Sequence, residues 1–391
     1  MHHNIIHVRN IPKVLYIANN IPLPTQKSNR IVLDIAENLS PQCDISFVFP
    51  AAIVFPPFSL MKKYRSLNRL KPWTDGKFTI VPVRYLRLPG KRLSYLPIDA
   101  INPSKYVDEN ALPELCHAHY IMPDGYIAYK IKQKYGIPYV ASVRSGDMNH
   151  VRKLNNTSIV LRKFITVLKN ADKIIVHNRP QQEFVKKFGV ESVMIPHGID
   201  EQILSASLHK DDSSVIVSVV AELIQRKNID WVIKAVKTYT GQKRIQLQII
   251  GDGTLRNELQ RLAGDADNIL FLGKLSHEKV ISILSKSHIF ALPSINETFG
   301  LVYLEAAAQR NAVICHQNEG VDGLFEPGKE MLFCQGYNEY RDAFFELIHD
   351  QSKQLQIANA GYQKVLDYTW KNVSDKYLFE YTIVRYKIRH C

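Results

Sequence analysis

The chain has 391 residues, 46% hydrophobic and 10% aromatic, with only 18 Gly and 19 Pro and no period in either. This excludes a disordered, collagen-like or low-complexity chain, and the length suits two or three domains with real cores. Fifty Lys and Arg against 37 Asp and Glu give a net charge of +13, which favours anionic partners.

Short apolar runs rich in β-branched residues alternate with amphipathic segments along the whole chain. Val14–Ala18, Ile45–Phe49, Phe78–Val83, Tyr139–Val143 and Lys173–Val176 read as buried strands, with helical periodicity at Asn29–Leu39, Gly125–Tyr135 and Val160–Ala171. The pattern pauses in the polar stretch Gly198–Ser214, which holds Asp211 and Asp212. It restarts with strands at Val215–Val220, Leu247–Gly251, Ile269–Leu272, Ile289–Leu292 and Ala312–Cys315. Continuous apolar strands between helices predict parallel sheets covered on both faces. The expected architecture is α/β: residues 1–205 and 206–370 as two parallel-sheet domains, and 371–391 as a terminal helix that packs on its own domain or crosses back to the first. A cleft between the domains would face the carboxyl ends of both strand sets, where open α/β sheets bind ligands.

The five cysteines, Cys43, Cys116, Cys315, Cys334 and Cys391, are odd in number and lack any C-x-x-C spacing. They read as free thiols in a reducing compartment, with neither a zinc site nor a disulfide framework. Met1 to Val14 lacks the apolar run of a signal peptide. The longest uncharged stretch, Ile45–Met61, is broken by Pro50, Pro56 and Pro57 and is too short to span a bilayer. A cytoplasmic chain, soluble or peripheral, is expected.

The segment from Pro293 to Ala306 carries the most chemistry. It follows an apolar strand and runs into a helix starting near Gly300, where backbone N–H groups favour an anion and the glycine lets a ligand approach. Glu297 stands just before that helix and Glu305 on it, about 12 Å further along and within roughly 80° of one face if the helical geometry is continued back. Two acceptor carboxylates around a phosphate-attracting helix start suit a sugar nucleotide. Taken singly, each glutamate reads as well as a helix cap or a solvated helix residue.

Glu297 and Glu305, with seven residues between, resemble the E-x7-E signature of family-four retaining glycosyltransferases, which have the GT-B fold of two Rossmann-like domains facing each other across a cleft. Other segments are similar in the same order: His117-Ala-His119 to H-x-H, Ala141–Asp147 to a V-x-R-G-x-D turn, Ile195–Asp200 to I-P-N-G-V-D, Ile249–Gly253 to V-G-D-G and Phe271–Gly273 to F-L-G. The resemblance implies that Glu297 holds donor sugar hydroxyls and Glu305 the ribose. The backbone of Thr298, Phe299, Gly300 and Leu301 would hold the diphosphate or sugar, and His119 would sit at the reaction centre. Arg144 and Asp147 would line the acceptor side, and the turns at Gly251 and Gly273 would shape the donor site. Base choice would depend on Gly273–Leu275, and sugar choice on Glu297 and Asn318–Gly320.

In Val220–Asn228, Arg226 and Lys227 enter a helix after a buried strand, where cations could grip a diphosphate. Lys227 matches the family's diphosphate-binding lysine, with Asn228 in place of the following Gly and Glu222 in place of the usual arginine. Either Arg226 substitutes for that arginine, or Glu222 turns away and the site relies on Lys227. Ala221, Arg310 and Ala312 also depart from the pattern, and the loop Asn19–Arg30 lacks the common paired glycines.

Between Pro56 and Arg92 stand ten Lys or Arg and one acid, Asp75, interleaved with hydrophobics. Leu60–Leu70 reads as a basic amphipathic helix for an anionic membrane surface, ahead of a solvated face or a nucleic-acid patch. The Asn-x-Ser/Thr sequons read as unused. The one D-x-D match, Asp265-Ala-Asp267, would lie at the amino end of a strand, away from the ligand edge, so no metal site is expected there.

The expected activity is metal-independent, retaining transfer of a sugar from a UDP- or GDP-linked donor, with no cofactor, to a hydroxyl acceptor. That acceptor would be a glycan on a polyprenyl-diphosphate lipid at the inner leaflet, and no nucleic acid is expected. The alternatives are a sugar-nucleotide epimerase and an inactive glycosyltransferase-like subunit.

Overall fold

The chain's alternation of apolar strands and amphipathic helices folds into two sheet-centred units. The computed structural model describes residues 11–24, 30–55, 62–88, 95–204 and 213–389. One unit comprises Met1–His177, Gln181–Ile195 and Ser374–Cys391, and the other Asn178–Pro180 and Pro196–Val373. Asp211, Asp212 and the linker around them lie outside the described residues, as do 25–29 of the first loop and 56–61 and 89–94 of the basic stretch.

The strands of the first unit are β1 (Lys13–Ile17), β2 (Asp44–Ile53), β3 (Trp73–Asp75), β4 (Phe78–Leu86), β5 (Leu115–Ala118), β6 (Tyr139–Ser142), β7 (Lys173–Val176) and β8 (Val193–Met194). They form one sheet in the order β3-β4-β2-β1-β5-β6-β7-β8, parallel apart from the β3–β4 hairpin. Its helices are α1 (Ile31–Leu39), α2 (Lys62–Asn68), α3 (Tyr126–Tyr135), α4 (Ser145–Val151), α5 (Ile159–Asn170) and most of α6 (Arg179–Lys186). On one face Ile17, Ala118, Ala141 and Val176 pack against Ile127, Ile131, Phe164 and Val167. Burying each large side chain contributes about 1.5–3 kcal/mol.

β2 and β5 differ from the sequence expectation for local reasons. β2 runs past Pro50 because β1 ends opposite Val48; beyond it only β4 pairs, so the missing N–H breaks no ladder bond. β5 was not expected as a strand, since His117 interrupts its apolar run. Yet all four of its residues are buried between β1 and β6.

The second unit holds β9 (Val215–Val220), β10 (Ile245–Ile250), β11 (Ile269–Gly273), β12 (Ile289–Leu292), β13 (Ala312–His316) and β14 (Leu332–Cys334), all parallel. Their order is β11-β10-β9-β12-β13-β14, the dinucleotide-fold order in which the chain reverses between its first and fourth strands. The helices are α7 (Ile229–Thr238), α8 (Arg256–Ala263), α9 (His277–Leu284), α10 (Leu301–Ala308), α11 (Tyr337–His349) and α12 (Gln351–Val365). The last helix, α13 (Trp370–Arg389), begins in the second unit and contributes its residues from Ser374 onward to the first.

Among the described residues no helix is long and apolar enough to cross a membrane, and no cluster of His, Cys, Asp and Glu could hold a metal. Asp265 and Asp267 are exposed between α8 and β11, at that strand's amino end. Cys43, Cys116, Cys315 and Cys334 are buried free thiols; Cys391 lies outside the described residues.

Candidate functional site

In the second unit the reversal puts β9 beside β12, so the loops leaving their carboxyl ends are neighbours. After β9 a short 3-10 turn, Gln225–Lys227, delivers Arg226 and Lys227, and Asn228 then adopts φ 49° and ψ 38°. This left-handed conformation is one that Gly and Asn take most readily, which accounts for Asn in place of Gly. The Asn228 side chain also donates to the Pro293 carbonyl at 2.8 Å, tying the two loops together.

Glu297 lies on the second loop and is buried. One carboxylate oxygen accepts from the Lys227 ammonium and from the Ser294 hydroxyl at 3.0 Å. The other accepts the Thr298 N–H at 3.1 Å and lies 3.9 Å from the Arg226 guanidinium. Burial raises the carboxyl's pKa, but the Lys227 charge, the hydrogen bonds from Lys227 and Ser294 and the Arg226 charge outweigh it, and the net shift is downward. Lys227 is itself buried, whereas Arg226 is half-exposed and Glu222 exposed. Arg226 is thus the second cation, 3.9 Å from the Glu297 carboxylate.

Glu297 does not cap α10. That helix starts at Leu301 behind Gly300, which has φ 76° and offers no side-chain cap. A Cβ on Gly300 would come within 2.4 Å of the Tyr303 ring. The 297–300 segment is not helical, so the angular relation between the glutamates that a continuous helix would give does not apply. Phe299 is buried against His197, with ring centroids 4.5 Å apart, while Thr298 is exposed. Glu305, on α10, accepts from His277 Nε2 at 3.0 Å, at the start of α9.

The glycine turns on the flanking strands have little latitude. A Cβ on Gly251, at φ 132°, would lie 1.8 Å from the Ala221 carbonyl oxygen. Gly273, at φ 70°, accepts the Gly251 N–H at 2.8 Å, and Arg256 stands beside it.

Several supporting residues were not singled out from sequence. Glu319 accepts the Glu297 N–H at 2.8 Å, and Asn178 donates to the carbonyls of Thr298 and Gly320 at 3.3 and 2.7 Å. Ser294 orients Glu297, and His277 orients Glu305. Only Asn318–Gly320 carried a signal, as a stretch expected near the sugar.

In the first unit β1 and β5 mark the corresponding reversal, and His119 follows β5 directly. It is fully buried; its N–H donates to Ile17 O and its carbonyl accepts from Arg144 Nε, both at 3.0 Å. Asp147 is buried and accepts the N–H groups of Arg144 and Ile121 at 3.0 and 3.1 Å, which fastens the start of α4. Burial pushes its carboxyl up to about 7, against the opposing backbone hydrogen bonds and the Arg144 charge.

A cavity of about 1080 Å³ opens on this unit; the residues lining it include Asn19, Phe49, Leu67, Arg87, Tyr95, Met122, Asp147 and His150. The Arg87 guanidinium lies 5.2 Å from the Tyr95 ring centre, and the His150 ring meets the same tyrosine at 5.5 Å. Among the described residues Arg87 has no acidic partner.

Residues 200–364 match the family model described as glycosyl transferases group 1, and residues 29–203 match that of glycosyltransferase family 4. A provisionally named teichuronic acid biosynthesis glycosyltransferase of Bacillus subtilis is 24% identical over 339 residues, covering 82% of this chain and 85% of the relative. Sucrose-phosphate synthase of Thermosynechococcus elongatus superposes with a TM-score of 0.67 at 17% identity, over 95% of this chain and 98% of the other. HepE of Anabaena, solved with UDP and glucose, does so at 0.62 and 15% identity, over 95% and 99%. The fold is that of the GT-B glycosyltransferases. With the two family models together spanning residues 29–364, the protein belongs to the group 1, family 4 glycosyltransferases.

Proposed function

We propose that this glycosyltransferase moves a sugar from a UDP- or GDP-linked donor to a hydroxyl acceptor with retention of configuration and without a metal. The observation that carries the donor reading is the cluster at the β9–β12 reversal: Lys227 and Arg226 around Glu297, ahead of the α10 start, with Glu305 one turn into that helix. Cations and backbone N–H groups there suit the diphosphate, Glu297 the sugar hydroxyls and Glu305 the ribose. The acceptor oxygen attacks the anomeric carbon on the face the diphosphate leaves. The carbon–phosphate-oxygen bond breaks, and the acceptor proton passes to the leaving phosphate. Lys227, Arg226 and the α10 amides stabilise the departing charge, and His119 stands beside the transferred sugar.

The first-unit cavity is the acceptor's place in this reading. Arg87 lies over Tyr95 among Phe49, Leu67 and Met122 and has no acidic partner among the described residues, which suits an acidic group beside apolar chain, as in a polyprenyl-diphosphate-linked glycan. Such a protein works at the inner leaflet, held peripherally by the basic stretch 56–92.

The deciding experiment is thermal shift against UDP, GDP, ADP and CMP, with Glu305→Ala beside the wild type. Stabilisation by one diphosphate, weakened by the substitution and unaffected by EDTA, is expected. No shift with any nucleotide would overturn the donor reading.

A further inference from the structure

Tyr16 and His117 are paired in register across β1 and β5, so their side chains share one face of the first sheet, and His119 follows two residues along on the same face. The His119 ring stacks on His117, with centroids 4.1 Å apart and planes at 28°, and meets Tyr16 at 4.5 Å. Both supporting rings end on one group. The Tyr381 hydroxyl, on the part of α13 that belongs to this unit, is 2.9 Å from the Tyr16 hydroxyl and 2.6 Å from His117 Nδ1. The other His117 nitrogen meets the Ser142 hydroxyl at 2.9 Å.

All of these side chains are buried. Burial, with the nearby Arg144 and His177, pushes the His117 pKa well down, so its ring is neutral and carries one donor and one acceptor. Two hydroxyls answer those two nitrogens and, since each can donate or accept, they hold the ring plane in either tautomer.

We infer that Tyr381 is a positioning residue for His119: one hydroxyl holds the two rings on which the His119 imidazole rests, and so holds that imidazole in a single orientation. The effect on turnover rests on the reading of His119 at the reaction centre; the effect on ring geometry does not.

The test is NMR of protein carrying 13Cε1-labelled histidine, the His119 resonance being the one lost in His119→Gln. Tyr381→Phe keeps the ring and removes the hydroxyl. It is expected to shift, double or broaden the His119 resonance while leaving UDP and GDP binding unchanged. It should also lower kcat for diphosphate release from UDP-glucose or GDP-mannose, whichever is turned over, roughly five- to twentyfold at constant donor KM. Tyr16→Phe cuts the other arm, should move the same resonance less, and carries the test should Tyr381→Phe fail to fold. A His119 resonance unmoved in the folded variants overturns the inference. A moved resonance, with wild-type kcat in both Tyr381→Phe and His119→Gln, overturns instead the placing of His119 at the reaction centre.

Discussion

The Lys227 ammonium donates to the Glu297 carboxylate across 70 residues of sequence, and both side chains are buried. The cation assigned to the donor diphosphate is therefore engaged before any donor is bound. In the proposed donor reading an incoming phosphate shares Lys227 with Glu297, while Ser294, the Thr298 N–H and Arg226 remain to hold the carboxylate.

Removing the Glu297 charge leaves the buried Lys227 ammonium uncompensated, at a cost of about 3–5 kcal/mol; removing Lys227 leaves the carboxylate to its other partners at a smaller cost, and neutralising both sides costs far less. Lys227→Met and Glu297→Gln should each lower the melting temperature clearly. The double variant should lie above the sum of the two while binding no nucleoside diphosphate. Additive losses in that double-mutant cycle would show that the pair does not couple.

Gly251 and Gly136 both have positive φ, but only Gly251 faces a backbone oxygen where a Cβ would stand. Gly136→Ala, at the end of α3 with open space around it, should cost about 1 kcal/mol of strain. Gly251→Ala must also displace the Ala221 carbonyl and should cost about 3 kcal/mol or more, abolishing nucleotide binding with it. Equal denaturation midpoints for the two variants would contradict this assignment of the clash.

How much of this was legible in sequence depends on range. Val215–Val220, apolar and β-branched but for Ser218, and the apolar Ile289–Leu292 have observed ends that agree with the reading. Lys227 and Glu297 stand in loops that follow apolar strands, and such strand-loop-helix segments are visible in the local pattern. β5 was hidden by His117, a polar residue whose burial is made possible by partners 25 and 264 residues away. No local pattern announces Tyr381, since its role depends on where the last helix packs. Asn228 looked like a departure from the glycine pattern, and φ shows it to be an equivalent solution.

Asp147 gives the first unit a pH dependence of definite sign. Its carboxyl titrates near 7 when folded, against about 3.9 in the unfolded chain, so between those values the folded state binds the extra proton. Its contribution is full below about pH 4 and is lost as pH rises through 7. Wild-type stability should therefore fall between pH 5 and 8 relative to Asp147→Asn, which has no such titration. Parallel urea midpoints for the two proteins across that range would remove the titration from Asp147.

Glu305 and His277 offer the sharpest test of how the ribose is held. Glu305 sits on α10 with one oxygen on His277 Nε2, which leaves its second oxygen to accept from ribose hydroxyls. A hydrogen bond to a charged acceptor contributes about 1.5–3 kcal/mol, so Glu305→Ala should weaken the preferred nucleoside diphosphate roughly 10- to 100-fold. The 2′-deoxy or 3′-deoxy nucleotide should bind the wild type more weakly and lose little further in Glu305→Ala, because the shared bond is already gone. His277→Ala frees the carboxylate without removing it and should cost severalfold at most. Calorimetric titration of the three proteins with ribo- and deoxynucleotides checks the cycle. Equal losses for both nucleotide types in Glu305→Ala would place the ribose elsewhere.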